Sequence, residues 1–184
     1  MVFNEPKSYW YGILFQGFQY FKILKYIPLI GGIMFAVAQY FPETVNKRIK
    51  LTFHLPREEN AMLLTMMGFG TICLVCCYLI VFLFFWLFSS FYFPAEIINA
   101  AVISALPWFM AGLAAYFWVA LVLLEPVWLF RLLYFVAACG FIPFFLKQGV
   151  SGNYAPVILK LSGIVALLSI SLLFSGYRFR KGEM

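Results

Sequence analysis

Aspartate is absent from this 184-residue chain, histidine occurs once, and only 11% of the residues are charged. With His54 as the single imidazole and glutamate as the only carboxylic side chain, no acid–base pair stands out for enzymatic chemistry. One histidine also excludes a bis-histidine haem site within one chain, and a zinc site would need carboxylate or thiolate help. Glu58 and Glu59 follow His54 closely, but Pro56 interrupts any helix that would bring them to one face. Basic clusters are equally scarce: no run is longer than Lys47 to Lys50, so nucleic acid is not an expected partner. No cleavable leader is expected either. Glu5 and Lys7 are followed by a long aromatic stretch without a small-residue cleavage site, and the mature chain is expected to begin near Met1.

Cysteine is sparse, and every one of the four lies inside an apolar run. Cys73, Cys76 and Cys77 resemble a metal motif by spacing, but thiolates in mid-span would be uncompensated charges in hydrocarbon. These three are expected to pack in the core, and all four, Cys139 included, to behave as small hydrophobes that carry no information on redox compartment. Met62, Met66 and Met67 offer soft sulfur ligands, yet methionine fills gaps far more often than it carries metal. No metal and no cofactor is expected.

What the chain does have is apolar surface. Hydrophobic residues make up 65% of it, aromatics 21%, and the mean hydropathy is +0.95. Soluble domains are nearer half apolar and a quarter charged, so the excess has to be solvated by lipid. A bilayer core of about 30 Å needs roughly 20 apolar residues per spanning helix. The stretches 61–88, 100–124 and 161–177 contain no charge, and 127–146 contains only Arg131, one turn in, where its side chain can reach the headgroups. A fifth, shorter span covers 27–41. Before it, residues 8–26 place Gly12, Gln16, Gln19 and Lys22 on a polar stripe, the pattern of an interfacial amphipathic helix or of a short sixth span. The expected fold is therefore an all-α polytopic membrane bundle of five or six transmembrane helices with an N-terminal amphipathic helix. It forms a single transmembrane domain over 1–184, with 1–26 as the amphipathic or short membrane helix, 42–60 as a cytoplasmic coupling segment and 61–184 as a four-helix membrane region.

Within the spans, Pro107 and Pro143 are expected to kink their helices. Ala111, Gly112, Ala114 and Ala115 form a small-residue patch for close helix approach, inside the chain or to a second copy. Glu125, between two apolar runs and six residues before Arg131, either caps the helix that follows, with Pro126 at its first position, or joins Arg131 in a pathway. Glu96 plays a similar part at the other face.

The only substantial polar segment is 42–60, which holds seven of the twenty charged residues. With it in the cytoplasm, the inside receives Lys47, Arg48, Lys50, Arg57, Arg131, Arg178, Arg180 and Lys181. The outside receives Lys7, Lys22, Lys25, Lys147 and Lys160. That bias favours a cytoplasmic segment and C-terminus. A six-span chain would move Lys7 inside. The segment is a docking surface for a soluble protein or an anchor at anionic headgroups.

Glu43 and Pro56 stand thirteen residues apart, with Ile49, Leu51, Phe53 and Leu55 between them, four further spans after them and a basic tail at the end. In this the chain resembles the ABC type-2 permeases, the membrane subunits of ATP-driven exporters, or a shortened relative of them. In that family an acidic residue leaves a membrane helix, an amphipathic stretch with leucines follows, and a proline precedes the next span. Here Lys47-Arg48 stand in place of the usual Gly-Thr pair, and Arg57-Glu58 follow the proline. The resemblance implies partner docking by Glu43, Lys47, Arg48, Ile49, Lys50, Leu51, Phe53, Leu55, Pro56 and Arg57. The partner it implies is a cytoplasmic ATP-binding subunit that does the ATP chemistry, so this chain would be no enzyme. It further implies pairing as a homodimer or with a second permease, contact with membrane lipid, and residence in the bacterial cytoplasmic membrane. The contrasting expectation is a small accessory subunit of a larger membrane complex, with no pathway of its own.

Overall fold

The computed structural model describes residues 21–45, 59–147 and 155–181. Five α-helices make up the architecture, and no strand occurs among the described residues. A one-turn 3-10 helix, Lys22–Lys25, leads into α1, Tyr26–Val45. The others are α2, Glu59–Tyr92; α3, Ala95–Leu124; α4, Trp128–Leu146; and α5, Ala155–Lys181. By length and composition, α2, α3, α4 and the helical stretch Lys22–Val45 can each cross a membrane; within α5 the apolar stretch Val157–Leu172 is shorter. The chain is thus an all-α bundle built for lipid, where helices dominate because hydrocarbon offers backbone N–H and C=O groups no partner but each other.

Prolines punctuate the bundle. A residue before proline is pushed out of the α region, and this ends two helices. Phe93 precedes Pro94, the extended N-cap of α3, and Glu125, extended at φ −72° and ψ 123°, precedes Pro126 at the end of α3. Glu125 therefore terminates α3. The sequence expectation that it caps the next helix is corrected here: α4 starts two residues beyond Pro126, with Val127 as N-cap and no side-chain cap bond. Glu96 does sit in the first turn of α3, where a carboxylate suits the positive end of the helix dipole. Pro107 and Pro143 lie inside α3 and α4, as does Pro42 in α1, each deleting one backbone donor.

The core is organised around α3. Two thirds of its membrane window is buried, against 11% for α2 and for α4. It packs most extensively on α1, then on α4 and α5, and more lightly on α2. The reason is written in its small residues: Ala105, Ala111, Ala114, Ala115 and Ala120 are fully buried and let neighbouring backbones come close. The small-residue patch thus packs inside this chain. Where α1 crosses α3, Gly32 lies directly on Gly112. A Cβ on Gly32 would overlap the Gly112 carbonyl group, 2.9 Å from its carbon, and one on Gly112 would sit 2.8 Å from the carbonyl carbon of Pro28.

Paired residues give the helix directions. Phe21 meets Trp108, Gly32 meets Gly112 and Tyr40 meets Tyr116, so α1 and α3 run parallel. Gln39 meets Met66, Pro28 meets Tyr78 and Phe21 meets Phe85, so α2 runs antiparallel to both. The Trp118–Phe141 contact across the tight 125–127 connection turns α4 back along α3. One end of the bundle consequently gathers the C-terminus of α1, the N-terminus of α2, the 125–127 connection and the start of α4. Lys22, Lys25, Phe93 and Lys147 lie at the opposite end.

The cysteine expectation is corrected as well. Cys76 and Cys77 are exposed on the outer surface of the bundle, because the inward stripe of α2 runs through Gly70, Leu74 and Tyr78 instead, and Cys139 of α4 is exposed as well.

Candidate functional site

Two polar regions stand out in a fold made of apolar surface. The first is the end of the bundle that carries the charged segment. Glu43 occupies the last turn of α1, half-buried, and Thr44 beside it turns its hydroxyl back to the Tyr40 and Phe41 carbonyls. The residues expected to dock a partner, Lys47, Arg48, Ile49, Lys50, Leu51, Phe53, Leu55, Pro56 and Arg57, together with His54, lie outside the described residues, as does the expected amphipathic stretch up to residue 20. The structure fixes the two helix ends between which the segment runs, Val45 and Glu59.

At the same end, Glu125 is fully buried at the close of α3. Arg131, one turn into α4, reaches back: its Nε donates to the Glu125 carbonyl at 2.7 Å, and its guanidinium lies 5.9 Å from the Trp128 ring centre. The two pathway candidates are thus brought together through the backbone of one and the side chain of the other. A charge-assisted bond to a helix-terminal carbonyl is among the stronger hydrogen bonds a protein makes. It closes the end of α3, whose last carbonyls have no intrahelical donor.

The second region lies inside the bundle, among residues that sequence reasoning did not single out. Gln39 on α1 donates through Nε2 to the Met66 carbonyl of α2 at 2.7 Å. The Tyr116 hydroxyl of α3 donates to Gln39 Oε1 at 2.9 Å, and the Tyr40 and Tyr116 hydroxyls are 3.2 Å apart. Gly70 makes this reach possible, since a Cβ there would strike both Gln39 Oε1 and the Tyr116 hydroxyl. Two turns along α2, Tyr78 donates to the Pro28 carbonyl at 2.6 Å, beside the Gly32–Gly112 crossing. Tyr40 and Tyr116 are buried, with about 1% or less of their surface exposed. A signal for this cluster existed: Gln39 is an amide inside an otherwise apolar run, and intramembrane polar side chains mark functional or assembly positions by default.

Nothing in this arrangement supplies a nucleophile activated by a base. Among the described residues, no three His, Cys, Asp or Glu side chains come together as a metal site. The interior cluster can order hydrogen bonds and fix helix positions, and the charged end can hold or present a loop. No family model, no curated protein and no solved structure matches the chain.

Proposed function

We propose that the chain is the permease subunit of an ATP-driven exporter of the ABC type-2 kind, working as a pair with a second permease and driven by a separate cytoplasmic ATPase. The observation that carries this reading is mechanical. The charged segment 46–58 joins α1 to α2, and α1 lies backbone-on-backbone against the buried α3 through Gly32 and Gly112. A soluble partner that pushes on the segment displaces α1, and α1 has no compressible side chains at the crossing through which to lose that motion before it reaches α3. Packed interfaces of this sort shift between discrete arrangements and do not deform continuously. Glu43, in the last turn of α1, and Lys47, Arg48 and Lys50 just after it supply charge for the partner, and the ATP chemistry belongs to that partner. Glu125 and Arg131 share the same end of the bundle and serve the pathway by holding the α3–α4 connection.

A second reading has its own support. The surfaces of α2 and α4 are apolar on nearly every side, with Phe84, Phe91, Trp128, Leu132 and Phe144 all exposed, which suits an accessory subunit packed into a larger membrane complex.

Affinity capture separates the two. A tagged full-length chain is expected to retain a nucleotide-binding subunit with a phosphate-binding loop, and Lys47→Glu, Arg48→Glu and Lys50→Glu together are expected to release it. Capture of other membrane subunits with no nucleotide-binding protein, unaffected by those three changes, sinks the exporter reading and supports the accessory one.

A further inference from the structure

α2 touches the α1–α3 pair along a single stripe, and the two halves of that stripe differ in kind. Toward the N-terminus of α2 it consists of Met66, Gly70 and Leu74: Leu74 is buried in the apolar core, but at Met66 and Gly70 the partners are polar, with Gln39 bonding Met66 O and Gln39 and Tyr116 pressing on Gly70. Toward the C-terminus it consists of Phe82 and Phe85, which meet Phe109 and Phe21 with ring centres 5.5 and 5.3 Å apart. Tyr78 stands between, with its hydroxyl on Pro28 O and its ring edge-on to Phe109. Lipid tails are as apolar as leucine, so helices in a membrane are held by shape packing and by hydrogen bonds that hydrocarbon does not contest. Gly70 offers almost no surface for packing. The N-terminal half of α2 therefore depends on its hydrogen bonds in a way the aromatic half does not.

Those bonds have a fixed direction. A backbone carbonyl only accepts, so Gln39 must turn its NH2 group to Met66 O and its Oε1 away, toward Tyr116. Tyr116 has one proton and must donate it to Oε1 at 2.9 Å. The Tyr40 hydroxyl, 3.2 Å from Tyr116, is then the donor of that last bond. The series runs Tyr40 to Tyr116 to Gln39 to Met66, from α1 to α3, back to α1 and on to the backbone of α2.

We infer that this series is a directional latch: it closes the N-terminal half of α2 onto α1 and α3, and its release lets that half swing out while the aromatic half stays docked. Direction gives the latch an internal control. Removing the Tyr116 hydroxyl takes away the bond that ties Gln39 to α3, leaving the Gln39–Met66 bond without its brace, and the latch opens. Removing the Tyr40 hydroxyl takes away only the first donor and leaves Tyr116, Gln39 and Met66 joined. Gly70→Ala opens it without deleting any polar group, because the new Cβ displaces Gln39 and Tyr116 together. The latch belongs to the bundle itself and holds whether or not segment 46–58 receives an ATPase.

The test is distance measurement by pulsed electron paramagnetic resonance on the full chain in lipid nanodiscs, with the four native cysteines replaced by alanine. One spin-label pair reports the N-terminal half, at exposed Leu64 and Val45; the other reports the aromatic half, at exposed Phe88 and Ile23. Tyr116→Phe, Gln39→Leu and Gly70→Ala are expected to add a longer-distance population to the first pair and leave the second unchanged. Tyr40→Phe is expected to match the parent chain in both. The inference is overturned if Tyr116→Phe leaves the first pair unmoved, if it shifts both pairs together or unfolds the chain, or if Tyr40→Phe opens the first pair as far as Tyr116→Phe does. Should Gln39→Leu fail to fold, Tyr116→Phe, which removes one oxygen atom, decides the matter.

Discussion

Replacing Gly32 with alanine tests the crossing on which the bundle is centred. The added Cβ lies 2.9 Å from the Gly112 carbonyl carbon and 3.1 Å from the Tyr78 hydroxyl oxygen. Carbon atoms rest about 3.5 Å apart, so α1 and α3 must part by at least about 0.6 Å, and by more to clear the Gly112 carbonyl oxygen, which the Cβ overlaps, because backbone on a helix has no rotamer through which to give way. A radial gap of about that size forfeits roughly a quarter to a half of the dispersion energy of the contacts it opens. Overpacking of this kind costs about 1–3 kcal/mol, and the separation also strains the 2.6 Å bond from Tyr78 to Pro28 O. Alanine's better helix propensity returns about 0.5–1 kcal/mol, leaving a net loss on the order of 1–2 kcal/mol. Gly68, Gly140 and Gly163 supply the comparison: a Cβ at any of them meets nothing within 4 Å, so alanine there is expected to be neutral or slightly stabilising. Reversible unfolding of the purified chain in bicelles, titrated with a denaturing detergent, reads the difference. A Gly32→Ala variant as stable as Gly68→Ala would refute the close crossing.

Two further outcomes follow from burial and from helix direction. Trp108, 1% exposed and stacked at 5.3 Å on Phe21, is expected to cost about 3–5 kcal/mol when changed to alanine, whereas Trp128, 76% exposed, is expected to change stability by less than about 0.5 kcal/mol, in the same unfolding assay. In a background without native cysteines, single cysteines at Val45 and Pro126 are expected to react with an impermeant maleimide from one side of a sealed vesicle, and cysteines at Phe93 and Lys147 from the other; Val45 and Phe93 reacting from the same side would contradict the antiparallel course of α2.

Much of the bundle is legible in the sequence because lipid imposes a single demand, a run of apolar residues long enough to cross. The charge-free stretches 61–88 and 100–124 lie within α2 and α3, and the run with Arg131 is α4 to within one residue. The helices extend past those stretches at their ends, and in α3 the extension takes in Glu96, which the positive end of the helix dipole tolerates in the first turn. The role of Glu125 is ambiguous in sequence because Pro126 reads equally well as the first residue of a helix and as the cause of the previous helix's end; the extended conformation of Glu125 decides for the second. Mid-span position places Cys76 and Cys77 in the bundle without saying which face they take, and only the phase of the α2 stripe, fixed by Gly70, Leu74 and Tyr78, turns them outward. The interior hydrogen bonds escaped notice for a related reason. Tyrosine in a membrane chain is expected at the headgroup level, and no spacing rule ties Gln39 to a residue 77 positions away.

The enclosure of α3 has a consequence for how the protein is made. Two thirds of the membrane window of α3 is covered by the helices around it. During synthesis α3 emerges after α1 and α2 and before α4 and α5, which cover its remaining faces. In that interval the nascent chain presents an alanine-rich flank to the translocon and to quality-control proteases, so premature stops after residue 124 should yield products cleared faster than the full-length chain.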